Sequence, residues 1–324
     1  MKVNSVYYYQ VFGSGSFCMH TYHMLDGLNK LGIKIYSNHA NYPYIIYSND
    51  LTLGDILITS TSGNLRDFAG KSHIPKLPRK SYHIDGTDFA TAGVDGFDSI
   101  ETFKTNLDKS LQPSKMQDWH YLPSCVEDPQ IPFVRETERD IDISFYSAHQ
   151  QCGRDVIYEW LKEYAEGTPG VRIDTDVDFM AVAPINPSYP MGSCNTISPG
   201  YYEKLNRSYI SINAPGGGVN TRKFFENIAA GCIPLNYVPE NYAGIGHTTT
   251  NGDILKIIPD GIGFPETLVP SFRTAKQLFS ELDRLLVQRD NDIGKMLQEW
   301  GLNQWTTKQK AEYFIKTCGL EIPS

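Results

Sequence analysis

The 324 residues are too many for one comfortable hydrophobic core and suit two domains of roughly 150 residues each. A composition of 40% hydrophobic and 20% charged residues excludes a disordered or fibrous chain, and a net charge of −8 argues against a surface built throughout to attract a phosphodiester backbone. Six scattered cysteines without a CxxC pair, an opening MKVNSVYYYQVFGSG without the apolar core of a signal peptide, and no run approaching a membrane span point to a cytoplasmic chain with free thiols and no integral membrane contact.

In chain order, the first fifty residues read as strand, glycine turn, helix and strand. These are Val6 to Phe12, Gly13-Ser14-Gly15-Ser16, Met19 to Leu31 and Ile33 to Tyr36. The helix carries Met24, Leu25, Leu28 and Leu31 at three- and four-residue spacing, with Gly32 placed as its C-terminal cap. Asp55 to Thr59 and Ser81 to Ile84 read as further buried parallel strands. Pro123, Pro129, Pro132 and the charged run Arg135 to Asp140 mark a domain boundary. A second α/β series follows, with strand Ile141 to Tyr146 and helix Asp155 to Tyr164, whose apolar face is read as Val156, Ile157, Trp160 and Leu161. Pro184 to Gly200 reads as a long irregular loop, and Ala275 to Val287 and Asp292 to Thr317 as helix. A surplus of 20 tyrosines fits a surface that presents flat rings with polar tips, although ordinary cores absorb most tyrosine.

The densest signal is YISINAPGGGVNTRKFFENIAAGCIPLN, residues 209–236. A strand, Tyr209 to Ile212, runs into Pro215-Gly216-Gly217-Gly218, where backbone comes close to a ligand because no side chain intervenes. Asn220 is placed as N-cap of a helix from Thr221 to Ala230, closed by Gly231, with Phe225, Ile228 and Ala229 on its buried face. Arg222 and Lys223 then sit in its first turn, where the macrodipole disfavours cations by roughly 0.3–1 kcal/mol each. A bound diphosphate resolves that conflict, since free N–H groups, dipole and both side chains converge on the anion. The alternative is an Arg222 to Glu226 pair one turn apart, in the weaker base-before-acid order.

The string YEKLNRSYISINAPGGGVNTRKFFENIAAGCIPL resembles the donor-binding signature of GT-B glycosyltransferases, in the group-1 branch related to spore-maturation-type glycosyltransferases. That pattern is R-x-x-x-E, a run of small residues, Gly and an apolar strand, and Arg222, Glu226, Gly231 and Pro234 fall on it. DIDISFYSAHQQCGRDVIYEWL and the tail from Gln277 to Ile315 resemble the same branch more weakly, so the likeness spans residues 140–317. The resemblance implies an α/β chain of two Rossmann-like domains facing a cleft, with C-terminal helices packing back toward the N-terminal domain. The expected division is 1–134 for the acceptor side, 135–300 for the donor and 301–324 for a closing helix. It further implies that Glu226 accepts the ribose hydroxyls of a nucleotide sugar and that Arg154 reaches the diphosphate. Many retaining members carry a second glutamate eight positions earlier; Gly218 stands there, so retention and inversion both stay open.

The implied reaction is transfer of a sugar from a nucleotide-diphosphate sugar, the co-substrate, to a carbohydrate or other hydroxyl acceptor, with no cofactor and no metal. The donor set is Gly216, Gly217, Gly218, Asn220, Thr221, Arg222, Lys223, Glu226 and Arg154. Asp174-Thr175-Asp176 and Asp176-Val177-Asp178 are DxD strings of a type that binds Mg²⁺ elsewhere, and are read here as a solvated acidic loop. The catalytic base is sought on loops after N-terminal strands: Asp85 first, then His83 and Asp88, with His20 beyond the glycine turn as rival. Lys71, Lys76, Arg79 and Lys80 leave room for a transferase acting on nucleic acid bases, and a non-catalytic nucleotide- or sugar-binding protein is the third reading.

Overall fold

Apolar runs and amphipathic helices alternate along the chain to build two parallel sheets, seen in a computed structural model that describes residues 1–11, 18–38, 43–61, 80–85, 101–104, 120–122, 124–126, 138–146, 154–175, 199–215, 222–238, 243–244, 247–248, 265, 268–288 and 292–323. The chain divides into two units. The first takes its described residues from Met1–Cys125 and Thr306–Ser324, the second from Val126–Ala183 and Ile197–Trp305. Among the described residues no helix is long and apolar enough to cross a membrane. Cys125, Cys232 and Cys318 are buried.

In the first unit, β1 (Ser5–Val11), α1 (Cys18–Lys30), β2 (Lys34–Ser37) and β3 (Ile45–Tyr47) are followed by β4 (Ile56–Thr61), β5 (Ser81–Asp85), β6 (Glu101–Lys104) and β7 (His120–Tyr121). The strands pair in the order β3-β2-β1-β4-β5-β6-β7, all parallel. Val6, Tyr7, Ile56 and Leu57 are wholly buried, as expected for strands covered on both faces. One face receives Met24, Leu25 and Leu28 of α1 together with Ala311, Phe314 and Ile315 from near the other end of the chain.

The second unit runs β8 (Ile141–Ser144), α2 (Arg154–Gly167), β9 (Ile173–Asp174), α3 (Pro199–Asn206), β10 (Ser208–Asn213), α4 (Arg222–Ala229) and β11 (Ile233–Tyr237). A small antiparallel pair, β12 (Ala243–Gly244) and β13 (His247–Thr248), precedes β14 (Ser271–Phe272), α5 (Ala275–Val287) and α6 (Ile293–Gln304). The main sheet has the order β14-β11-β10-β8-β9 and is parallel throughout. Ile143, Ile210, Ile212 and Leu235 meet Ile157 and Leu161 of α2 and Leu278, Leu282 and Leu285 of α5 on one face. Side chains alternate along a strand, so Ser211 turns to the other face, where Asn227 of α4 donates to its carbonyl at 3.3 Å. The last helix, α7 (Thr307–Thr317), belongs to the first unit, while α5 and α6 stay with the second.

Several local expectations change. Val156 is 44% exposed, and the buried face of α2 is Ile157, Leu161 and Tyr164, spaced four and three residues apart. The helix expected over 292–317 breaks at Trp305, a 1%-exposed anchor with non-helical backbone, and restarts at Thr306 through a capping box with Gln309. Pro199 and Gly200, read as loop, open α3; proline at a first helical position loses no hydrogen bond. Gly32 and Gly231, placed as helix caps, take φ of 72° and 71°.

Candidate functional site

The second sheet has one place where its winding direction reverses. From β8 the chain passes through α2 to β9 on one side, then returns to lay β10, β11 and β14 on the other. The carboxyl ends of β8 and β10 flank this switch point, the position at which open α/β sheets form the crevice that takes ligands. Phe145 and Tyr146 leave β8 there, Arg154 begins α2, Asn213 ends β10, and Lys223 stands in the first turn of α4. Asn213 is 2% exposed and tied by its amide to Oδ1 of Asn236 at 2.8 Å, which fixes the end of β10.

Lys223 answers the electrostatic conflict foreseen for its position. Its ammonium donates to the backbone carbonyl of Tyr146 and lies 5.1 Å over the Phe145 ring. Burial, and then the positive charge of Arg154, push it down from 10.5 to about 7, with Glu226 opposing. The site thus holds a cation that is only weakly committed to its charge, beside a second cation and at the positive end of a helix.

Glu226, one turn on, is 6% exposed. Its Oε2 accepts from the Tyr201 hydroxyl at 2.9 Å and its Oε1 from the Tyr202 hydroxyl at 3.2 Å. The rings of Tyr201 and Tyr202 pack edge to face at 5.0 Å, and Tyr146 meets Tyr201 likewise at 5.7 Å. Glu226 therefore engages two phenols of α3. The Arg222 side chain, the other partner considered for it, lies outside the described side chains, although Arg222 does begin α4. Gly216, Gly217, Gly218, Asn220 and Thr221 also lie outside the described residues.

Beyond the far end of α4, Gln298 donates to the carbonyl of Ala229, the last helical residue, and Arg139 serves the carbonyls that follow. Its guanidinium donates to Gly231 and, at 3.2 Å, to Ser208. Asp174, first of the DxD strings, sits at the end of β9, 3.3 Å from the Lys204 ammonium; the rest of those strings beyond Thr175 is not described.

The candidates for a base fall on the first unit. Asp85 is the last residue of β5, at the carboxyl end of the strand as a loop-facing group requires, and its side chain is not described. His83 is not on a loop: it is the third residue of β5, 1% exposed, with Nδ1 2.9 Å from the Thr59 hydroxyl. His20 lies in the first turn of α1, its side chain outside the description. Of the basic cluster only Lys80 is described, and it is exposed. Residue-by-residue reading missed Tyr146, Tyr201 and Tyr202; the signal was the Tyr201-Tyr202 doublet directly ahead of the strand, within a chain rich in tyrosine.

No family model and no curated protein matches the chain. Solved structures do. A sucrose-phosphate synthase from Thermosynechococcus elongatus superposes with a TM-score of 0.51 at 11% identity, covering 98% of each chain. TarM superposes with a TM-score of 0.50 at 10% identity over 81% of this chain, which spans about half (54%) of TarM. At such identities the likeness is one of fold. With two units, each a parallel sheet flanked by helices, and a last helix that returns to the first, the chain has the GT-B fold.

Proposed function

We propose that the chain is a glycosyltransferase that moves a sugar from a nucleotide-diphosphate sugar to an acceptor hydroxyl, with the donor at the crevice of the second unit. The observation that carries the reading is Lys223, held by the Tyr146 carbonyl at the switch point of the sheet and at the N-terminus of α4. A leaving diphosphate needs its developing charge neutralised, and Lys223, Arg154, Arg222 and the helix terminus supply that without a metal or other cofactor. The sucrose-phosphate synthase that the chain resembles in fold supports the reading. The narrower likeness to the spore-maturation branch rests on Arg222, Glu226, Gly231 and Pro234. For the base that receives the acceptor's proton we assign Asp85 ahead of His20, and both ahead of His83, whose ring is enclosed in mid-strand.

A thermal-shift screen against UDP, GDP, ADP and CMP sugars tests this, because a ligand at 100 times its Kd adds about 2.7 kcal/mol of stability. One class of donor is expected to raise the melting temperature, and Lys223→Ala to remove most of that rise. Transfer is then expected to persist in EDTA. A donor that binds yet is never hydrolysed or transferred, whatever acceptor is offered, would sink the enzymatic reading in favour of a binding protein.

A further inference from the structure

A carboxylate as buried as Glu226 needs hydrogen-bond donors on its oxygens and offers little surface to further ones. Two hydroxyls donate to it, one to each oxygen, and both come from α3, an element separate from the helix that carries the acid. The donors are neutral. Replacing them by two other hydroxyls leaves the number of hydrogen bonds and the net charge of the site unchanged, an exchange that is close to balanced in free energy. Vicinal hydroxyls of a sugar ring are donors of this kind, and Glu226 stands one helical turn from Lys223, where the proposed diphosphate binds.

We propose that Tyr201 and Tyr202 are specificity-setting residues of the donor site: they hold the Glu226 carboxylate, and a ligand's vicinal diol binds there only by displacing them. The proposal rests on the nucleotide-sugar reading of the crevice. Its consequence is selective. Ligands with a diol meet the tyrosines as competitors, and ligands without one do not. The ring contacts at 5.0 and 5.7 Å tie the two phenols to Tyr146, whose carbonyl holds Lys223, so release of the tyrosines is coupled to the cation that meets the phosphates.

The test is calorimetric titration of UDP, GDP and ADP, and of their 2′,3′-dideoxy forms, into the wild-type chain and Tyr201→Phe/Tyr202→Phe. Phenylalanine keeps the ring contacts and removes only the hydroxyls. The ribonucleotide that binds the wild type is expected to bind the double variant on the order of tenfold tighter, the scale of one hydrogen bond to a charged group, with its dideoxy form unchanged. Should the double variant fail to fold, Tyr201→Phe and Tyr202→Phe singly are expected to show part of the same gain. Equal changes in both nucleotide series, which a merely structural role would give, or no change in either, would overturn the tyrosine proposal alone. No binding by wild type or variant would overturn the nucleotide reading and the tyrosine proposal with it.

Discussion

Lys223 is the residue at which sequence electrostatics and structure meet most directly. Its place in the first turn of α4 opposes the helix dipole, and the chain answers with a carbonyl and a ring rather than a carboxylate in contact. Because its ammonium titrates at about 7, the empty site is partly neutral at physiological pH. A bound diphosphate restores the higher value, so binding takes up a proton above pH 7, and affinity is expected to fall by up to tenfold per pH unit from pH 7 to 9. Lys223→Arg, charged throughout, is expected to flatten that profile in titrations across pH. A second lysine makes a prediction about stability. Lys310 is fully buried, its ammonium has no hydrogen-bond partner among the described residues, and burial lowers it from 10.5 to about 8. Since the folded value lies below the unfolded one, the cost of its charge is fully present below pH 8 and fades as pH rises toward 10.5. Lys310→Met is therefore expected to stabilise the chain by about 3 kcal/mol at pH 7 in urea denaturation, and by much less at pH 10.

At the scale of elements, α4 is buried along its length from Phe224 to Ala229 and needs both ends satisfied. At the C-terminus Gln298 takes the Ala229 carbonyl, Arg139 takes those of Ala230 and Gly231 just beyond, and Gly231 makes room for the arginine: a Cβ there would lie 2.4 Å from the guanidinium, at a φ of 71°. Arg139→Ala is expected to cost about 1–3 kcal/mol, and Gly231→Ala at least 1 kcal/mol through strain and displacement of the same arginine; chemical denaturation of the two variants checks both. Elements with sustained periodicity were legible from residues alone, as in α5, read with the bounds it has, and in the β1-α1-β2 unit with its glycine cap. Strands of two to four residues such as β6, β7, β9 and β14 were not, since so few positions define no period, and pairing with neighbours is what makes them strands. The boundary between α6 and α7 was present as Thr306-x-x-Gln309, a capping signature hidden in a continuous helical pattern. Arg222 and Glu226 were singled out by the R-x-x-x-E spacing, and Lys223 by its place in the first helical turn. That Glu226 faces two phenols was not, because α3 reaches it across about 24 residues of chain and no local pattern encodes that approach.

At the scale of the molecule, the described residues of the first unit come from two distant stretches of sequence. Its sheet has α1 and α7 on one face, and they approach so closely that a Cβ on Gly27 would lie 2.1 Å from the Thr307 carbonyl oxygen. Thr307 donates to Asp26, and Lys30 reaches both Asp26 and Thr307 at 2.9 Å. Truncation after Trp305 is expected to strip Ala311, Phe314 and Ile315 from that core, at roughly 1.5–3 kcal/mol for each of the two large side chains. The truncated chain should lose the cooperative unfolding transition of the first unit, measured by calorimetry, and co-expression of residues 306–324 should recover part of it. The seam between Gly27 and Thr307 also sets a timetable for synthesis. The ribosome delivers every strand of the first sheet before any strand of the second, yet the first sheet lacks its α7 cover until residue 317 has emerged, by which time all strands and helices of the second unit have been made. The unit whose strands are made earlier is thus the one whose covering helix arrives later, and in the interval its apolar strands lack the contacts of Ala311, Phe314 and Ile315.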